Sequence, residues 1–132
     1  MGKDKFVYEF EINASKKMLY PYLSTASGLA QWYADDATID EDKMFHFKWE
    51  DKDHKAHKVS HRTNAYVRFE FQENGEASGE ENPDYVEFRI ETNEMTQTTF
   101  IKVIDYTEFD DKEEQGEVWH NLLTTLKETV GG

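Results

Sequence analysis

Polar and apolar residues alternate from the start of the chain. Phe6, Tyr8, Phe10 and Ile12 fall on one side of an extended segment, and Val7, Glu9 and Glu11 on the other. Period two with aromatics on one face predicts a half-buried strand. The spacing then changes. Met18, Leu19, Tyr22 and Leu23 lie at helical intervals behind Asn13 or Ser15, either of which can cap a helix. Pro21 falls inside that stretch and lacks the N–H a helix interior needs, so the helix should be short or kinked. Thr25 or Ser27 can cap a second short helix carrying Leu29, Trp32 and Tyr33.

From Ala37 onward the alternation returns. Ala37-Thr38-Ile39 is a short strand, and Asp40-Glu41-Asp42-Lys43 a turn. Phe45, Phe47 and Trp49 alternate with His46, Lys48 and Glu50, and Asp51-Lys52-Asp53 turns again. His57, Val59 and His61 alternate with Lys58 and Ser60. After a turn at Arg62-Thr63-Asn64, Val67, Phe69 and Phe71 alternate with Tyr66, Arg68 and Glu70. The stretch from Gln72 to Pro83, with Gly75 and Gly79, reads as a loop. Val86, Phe88 and Ile90 mark another strand. The last runs from Thr98 to Tyr106 with apolar residues on both faces, so periodicity does not decide which face is buried. Short polar turns between such strands predict an antiparallel meander.

The chain closes on a helix. Asp110, Asp111, Glu113 and Glu114 supply the acidic first turn that the helix dipole favours. Val118, Trp119, Leu122, Leu123, Leu126 and Val130 then form one apolar stripe, and Gly131-Gly132 ends it. The order is strand, two short helices, six strands, helix. This is an α+β domain spanning 1–132, with a curved antiparallel sheet of about seven strands wrapped on a long C-terminal helix.

This order resembles the START-like superfamily, also called SRPBCC or helix-grip. The branch it is most similar to contains homologues of the activator of heat-shock chaperone ATPase. Three stretches carry the resemblance. They are Phe10-Glu11-Ile12-Asn13-Ala14-Ser15 with Leu19-Tyr20-Pro21-Tyr22-Leu23, then Ser27-Gly28-Leu29-Ala30-Gln31-Trp32-Tyr33, and finally Val118-Trp119-His120-Asn121-Leu122-Leu123-Thr124-Thr125-Leu126. The resemblance implies a cavity between sheet and C-terminal helix, where many relatives hold a lipid, polyketide or other apolar small molecule. It also implies that fold alone does not choose between binding and catalysis.

Composition sharpens the picture. Only 37% of residues are hydrophobic, but 14% are aromatic, and each ring buries about 150–250 Å². A few rings can therefore build a core in a polar chain. Fifteen basic against 28 acidic residues give a net charge of −13, which repels nucleic-acid backbones and anionic membranes. The chain has no cysteine, so disulfides, thiolate zinc sites and a cysteine nucleophile are excluded. With no signal peptide and no apolar run long enough to span a bilayer, a cytoplasmic location is the expectation.

The aromatic set is the main candidate for function. Trp32, Tyr33, Phe47, Trp49, Phe69 and Phe88, with Trp119, Leu122 and Leu126 from the last helix, would line a ligand cavity; the competing reading is that they simply fill the core. Tyr33, His46 or Arg68 is the candidate for contact with a polar end-group. The histidines do not form an evident metal site. His57 and His61 on one strand would lie about 13 Å apart, though His46 and His57 could still meet across a hairpin. Lys43, Lys48, Lys52, Lys55, Lys58, Arg62 and Arg68 put seven of the 15 basic residues in one hairpin region, which reads as a solvated sheet face. Glu70, Glu87 and Glu91 alternate with apolar residues and should face water, within reach of Arg68 and Arg89. No nucleophile elbow, phosphate loop or zinc-protease motif is present.

The sequence therefore points to non-catalytic binding of a hydrophobic or amphipathic, lipid-like molecule between sheet and helix, with no metal or cofactor. A protein-interaction module with a filled core, acting on a partner such as a chaperone or on a second copy of the chain, is the first alternative. A small-molecule enzyme on the same fold, such as a cyclase or hydrolase, is the second.

Overall fold

The computed structural model describes residues 3–72 and 83–132. Strand β1 (Asp4–Glu11) leads through Ser15 into helix α1 (Lys16–Ser24) and, capped by Thr25, helix α2 (Ala26–Leu29). Six strands follow: β2 (Asp36–Ile39), β3 (Phe45–Trp49), β4 (Lys52–Arg62), β5 (Tyr66–Gln72), β6 (Tyr85–Asn93) and β7 (Thr98–Thr107). Helix α3 (Lys112–Val130) ends the chain. Every strand pair is antiparallel, in the order β1-β7-β6-β5-β4-β3-β2. The α+β architecture expected from the pattern, an antiparallel sheet of seven strands with a long C-terminal helix, is the one observed. Nearly all of the loop expected over Gln72 to Pro83 lies outside the described residues.

Local chemistry explains the short helices. The Ser15 hydroxyl accepts from the Met18 N–H at 3.1 Å, and the Thr25 hydroxyl from the Gly28 N–H at 3.0 Å. Each satisfies an N–H that the first helical turn leaves open. Helix α1 contains Pro21 and stops three residues later. The Pro21 carbonyl is then taken by the Thr25 N–H and hydroxyl, which turns the chain into α2. Helix α2 ends at Leu29, before Trp32 and Tyr33, contrary to the expected reach of the second helix. The N–H groups of Trp32, Tyr33 and Ala34 all converge on the Leu29 carbonyl, so the chain coils tightly and turns both rings into the core.

Strand parity sets the two sheet faces. The registers Phe10 with Ile101, Tyr8 with Val103, Phe88 with Val103 and Val67 with Phe88 place these residues on one inner face. On β7, Ile101 and Val103 are fully buried, while Phe100, Ile104 and Tyr106 face outward, which resolves the ambiguity in that strand. The β3–β4 turn is tighter than expected. Glu50 and Asp51 alone form it, both with positive φ (52° and 67°), and Lys52 and Asp53 already belong to β4. The alternation of β4 changes phase along the strand, and His61 stands opposite the inward Val67. Ala56 and Lys58 face inward opposite Phe71 and Phe69, His57 faces outward opposite Glu70, and the register shifts between Lys58 and Ser60. The eleven-residue strand is bent at that shift, and Val59 is left exposed.

Helix α3 buries Trp119, Leu123 and Leu126, with Leu122 half-buried and Val118 exposed, so the stripe is narrower than its spacing suggests. Asp111 caps its start by accepting from the Glu113 N–H at 2.9 Å. Gly131, at φ 80°, and Gly132 close its end on the Lys127 carbonyl.

Gly28 is the position with least freedom. A Cβ there would collide with the Pro21 carbonyl oxygen and lie 2.6 Å from the Tyr22 Cα, both rigid backbone. Gly28→Ala is therefore expected to cost about 2–3 kcal/mol in denaturant unfolding despite alanine's better helix propensity. An unchanged or raised midpoint would contradict this close crossing.

Candidate functional site

The rings singled out in the sequence come together around Tyr33. Its ring centroid lies 5.1 Å from Trp49, 5.2 Å from Phe47, 5.5 Å from Phe88, 5.6 Å from Trp32 and 5.9 Å from Trp119. Phe69 joins through Phe47 at 5.7 Å. Most of these pairs meet edge to face, and the Trp119 ring is stacked on Tyr33, the geometries that ring quadrupoles favour. Leu126 is buried in the same cluster, while Trp49 and Leu122 are half-buried at its rim. All nine expected residues thus belong to one body between sheet and helices, and Tyr33 stands in its middle.

Each tryptophan also pairs its indole N–H. Trp32 donates to the Tyr22 carbonyl of α1 at 2.8 Å, and Trp49 to the Tyr33 carbonyl at 2.9 Å. Trp119 donates to Asp105 Oδ2 at 2.9 Å, and Gln115 Nε2 donates to the same oxygen at 2.6 Å. Asp105 lies opposite Phe6 and Val86 on the inner face of β7, one alternation beyond Val103. It is a polar interior group that the sequence reading missed. Its only signal was an acidic residue in phase with Ile101 and Val103. Burial pushes the Asp105 carboxyl above the usual carboxylate range, the nearby Asp84 adds to this, and the two donated hydrogen bonds oppose it. Burial and the charge of Asp105 together raise the Tyr33 hydroxyl well above the usual tyrosine value.

Two of the three candidates for polar end-group contact face away from this body. Phe45 and Phe47 point inward, so His46 between them points outward. There Asp40 Oδ2 lies 2.8 Å from its Nε2, and Asp53 Oδ2 lies 2.9 Å from its Nδ1. These two carboxylates raise the His46 pKa, and the ring ties the β2–β3 turn to β4. His57 hydrogen-bonds Gln72 instead of meeting His46. Among the described residues no group of His, Asp and Glu is arranged to hold a metal ion. Arg68 is also outward, its guanidinium 3.6 Å from the centre of the Tyr85 ring. Glu87, expected to face water, is buried on this outer face. Arg89 Nη1 donates to it at 2.7 Å and Arg68 Nη1 lies 3.9 Å away, so the expected pairing with both arginines is present. Only 11% of the Glu87 side chain is exposed, with the two guanidinium groups beside it. Of the three candidates, only Tyr33 reaches the interior.

A separate open groove of about 480 Å³ lies between β1 and α3, lined by Tyr8, Glu113, Gly116, Glu117, His120 and Asn121. The Tyr8 hydroxyl is 2.9 Å from His120 Nδ1 across its floor.

The model of the START-like superfamily domain matches residues 1–132. The chain belongs to the START-like superfamily. Among solved structures of this superfamily fold, the chain is similar to the Aha1 dimer of Colwellia psychrerythraea, with a TM-score of 0.75, 18% identity and 96% of each chain covered. It is also similar to protein BfR322 of Bacteroides fragilis, with a TM-score of 0.63, 29% identity, and coverage of 98% of this chain and 92% of that one. DynU16, a putative protein of the dynemicin biosynthetic locus, shares the fold at a TM-score of 0.72 and 11% identity, over 97% of this chain and 47% of its own. No curated protein matches the chain. Among the described residues, no helix of this START-like domain is long and apolar enough to cross a membrane.

The partly buried Asp105 carboxyl gives a test of the site. A folded-state pKa raised above the unfolded value means that the folded chain binds the proton more tightly. The stability contributed by protonated Asp105 is present below the ordinary carboxylate value and is lost as pH rises through the raised one. Asp105→Asn keeps an acceptor for Trp119 and Gln115 and should flatten that part of the stability–pH profile. Asp105→Ala leaves both donors without their partner and should cost about 1–3 kcal/mol at neutral pH. Unfolding curves across pH check both. An Asn variant with the wild-type slope contradicts the assignment.

Proposed function

We propose that this START-like domain binds a hydrophobic or amphipathic small molecule on the inner side of the sheet and performs no catalysis. The carrying observation is the convergence of rings from β3, β5, β6, α3 and the turn after α2 on one interior body around Tyr33. Large apolar surface with a few fixed polar atoms is the usual make-up of a small-molecule site. Burial in such a site removes the ligand's apolar surface from water, at roughly 25 cal/mol per Å². The non-catalytic reading is supported by the state of Asp105. Its Oδ2 accepts from Trp119 and Gln115, so the interior carboxylate holds the fold together.

A second reading is favoured by one feature of the same geometry. Tyr33 fills the middle of the ring body, with neighbouring rings at 5.1–5.9 Å. A core closed in this way suits a protein-interaction module acting through its surface, on a partner such as a chaperone or on a second copy of the chain. The Colwellia psychrerythraea relative is itself a dimer.

Native mass spectrometry of the purified protein, followed by organic extraction, separates the two. The small-molecule reading predicts a stoichiometric mass increment that is released into the organic phase and is apolar or amphipathic. A clean mass for the polypeptide, with no shift in thermal midpoint on adding apolar compounds, overturns it in favour of the interaction module.

A further inference from the structure

Strand β4 carries a cation where its parity calls for an apolar residue. Lys58 follows Ala56 on the inner face, opposite Phe69 and immediately before the register shift. The side chain is half-buried, and Nζ lies 5.5 Å from the centre of the Phe45 ring. Among the described residues no ion pair or hydrogen bond involves this ammonium. Partial loss of water holds its pKa below the usual lysine value. A lysine whose stem merely covers apolar surface normally keeps its head in water. Among the described residues only a ring face accompanies this half-dry ammonium, and none of them offsets its desolvation.

The neighbourhood is equally unusual. Ile39 pairs with Phe45 on the same inner face, yet half of its surface remains exposed. A cation with no partner among the described residues and a half-exposed aliphatic side chain therefore share one end of the inner face, both against the buried Phe45 ring. They lie at the Ile39 edge of the ring body, beyond the part that Tyr33 fills.

We propose that Lys58 holds the carboxylate of a single-chain amphipathic ligand whose apolar tail lies along the exposed Ile39 side chain at the β2 edge. The proposal rests on the small-molecule reading above and adds to it the ligand class and its orientation. One ammonium balances one negative charge, and a chain of net charge −13 works against a second, so a monoanionic head group fits better than a dianionic phosphate.

Isothermal titration of the full chain with dodecanoate and with dodecanol, both below their micelle or solubility limits, tests this. The two probes share a tail and differ in charge. Wild type is expected to bind dodecanoate about tenfold more tightly than dodecanol, the scale of one hydrogen bond to a charged group. Lys58→Met keeps the length of the stem and removes the charge. It should fold at least as well as wild type, lose that tenfold for dodecanoate and leave dodecanol unchanged, while Lys58→Arg restores the preference. Equal binding of the two probes by wild type, or an unchanged dodecanoate affinity in Lys58→Met, overturns the anchor and leaves the small-molecule reading standing. Wild type binding neither probe, together with a clean native mass, overturns both.

Discussion

Trp119 has to bury a large ring while keeping its N–H paired, and the rest of the structure is arranged around that requirement. Asp105 supplies the acceptor from the inner face of β7, and Gln115, one turn earlier on α3, donates to the same oxygen. These two bonds fix both the axial position and the rotation of α3 over the sheet. With α3 so placed, the Trp119 ring stacks on Tyr33, and Tyr33 in turn gathers Phe47, Trp49, Phe88 and Trp32. The geometry of the short helices serves the same end. The Pro21 carbonyl, the Thr25 cap and the close crossing at Gly28 coil the chain so that Trp32 and Tyr33 reach the middle of the body from a turn.

The consequence for function is a division of the inner face. Around Tyr33 the rings pack against one another, and Asp105 is engaged by Trp119 and Gln115 of α3. Toward β2 and the bend in β4 the inner face offers an exposed isoleucine and an ammonium that no described residue neutralises. The outer face is built differently. There Arg68 and Arg89 lie over Tyr85 and Tyr66 and enclose Glu87, so its charge is balanced internally. A START-like domain with this division differs from a simple packed sandwich, because on the inner side lies a cation that no described residue balances.

Much of this was legible in the residues. Period-two alternation located every strand, and the i, i+3, i+4, i+7 stripe located α3, because both signals come from burying one face of a regular element. The nine ring and leucine candidates were legible for the same reason: they were the largest apolar groups on those faces. What escaped were the places where local chemistry overrides periodicity. The start of β4 and the inward position of Lys58 escaped because a positive-φ pair at Glu50 and Asp51 begins that strand earlier than the acidic turn suggests, which sends Ala56 and Lys58 inward and His57 outward. Asp105 was not singled out because an acidic residue in an apolar phase carries no mark of the indole it will meet across the fold. Glu87 reads as solvated because its place beside Arg68 depends on the register between β5 and β6.

The most direct test of the divided inner face is a backbone amide chemical-shift map recorded while dodecanoate is titrated into the isotope-labelled chain. The account predicts the largest shifts at Ile39, Phe45, Ala56, Lys58 and Phe69, with the outer-face residues Tyr66, Tyr85 and Tyr106 unmoved. Shifts centred on that outer face, or spread evenly over the surface, would contradict it.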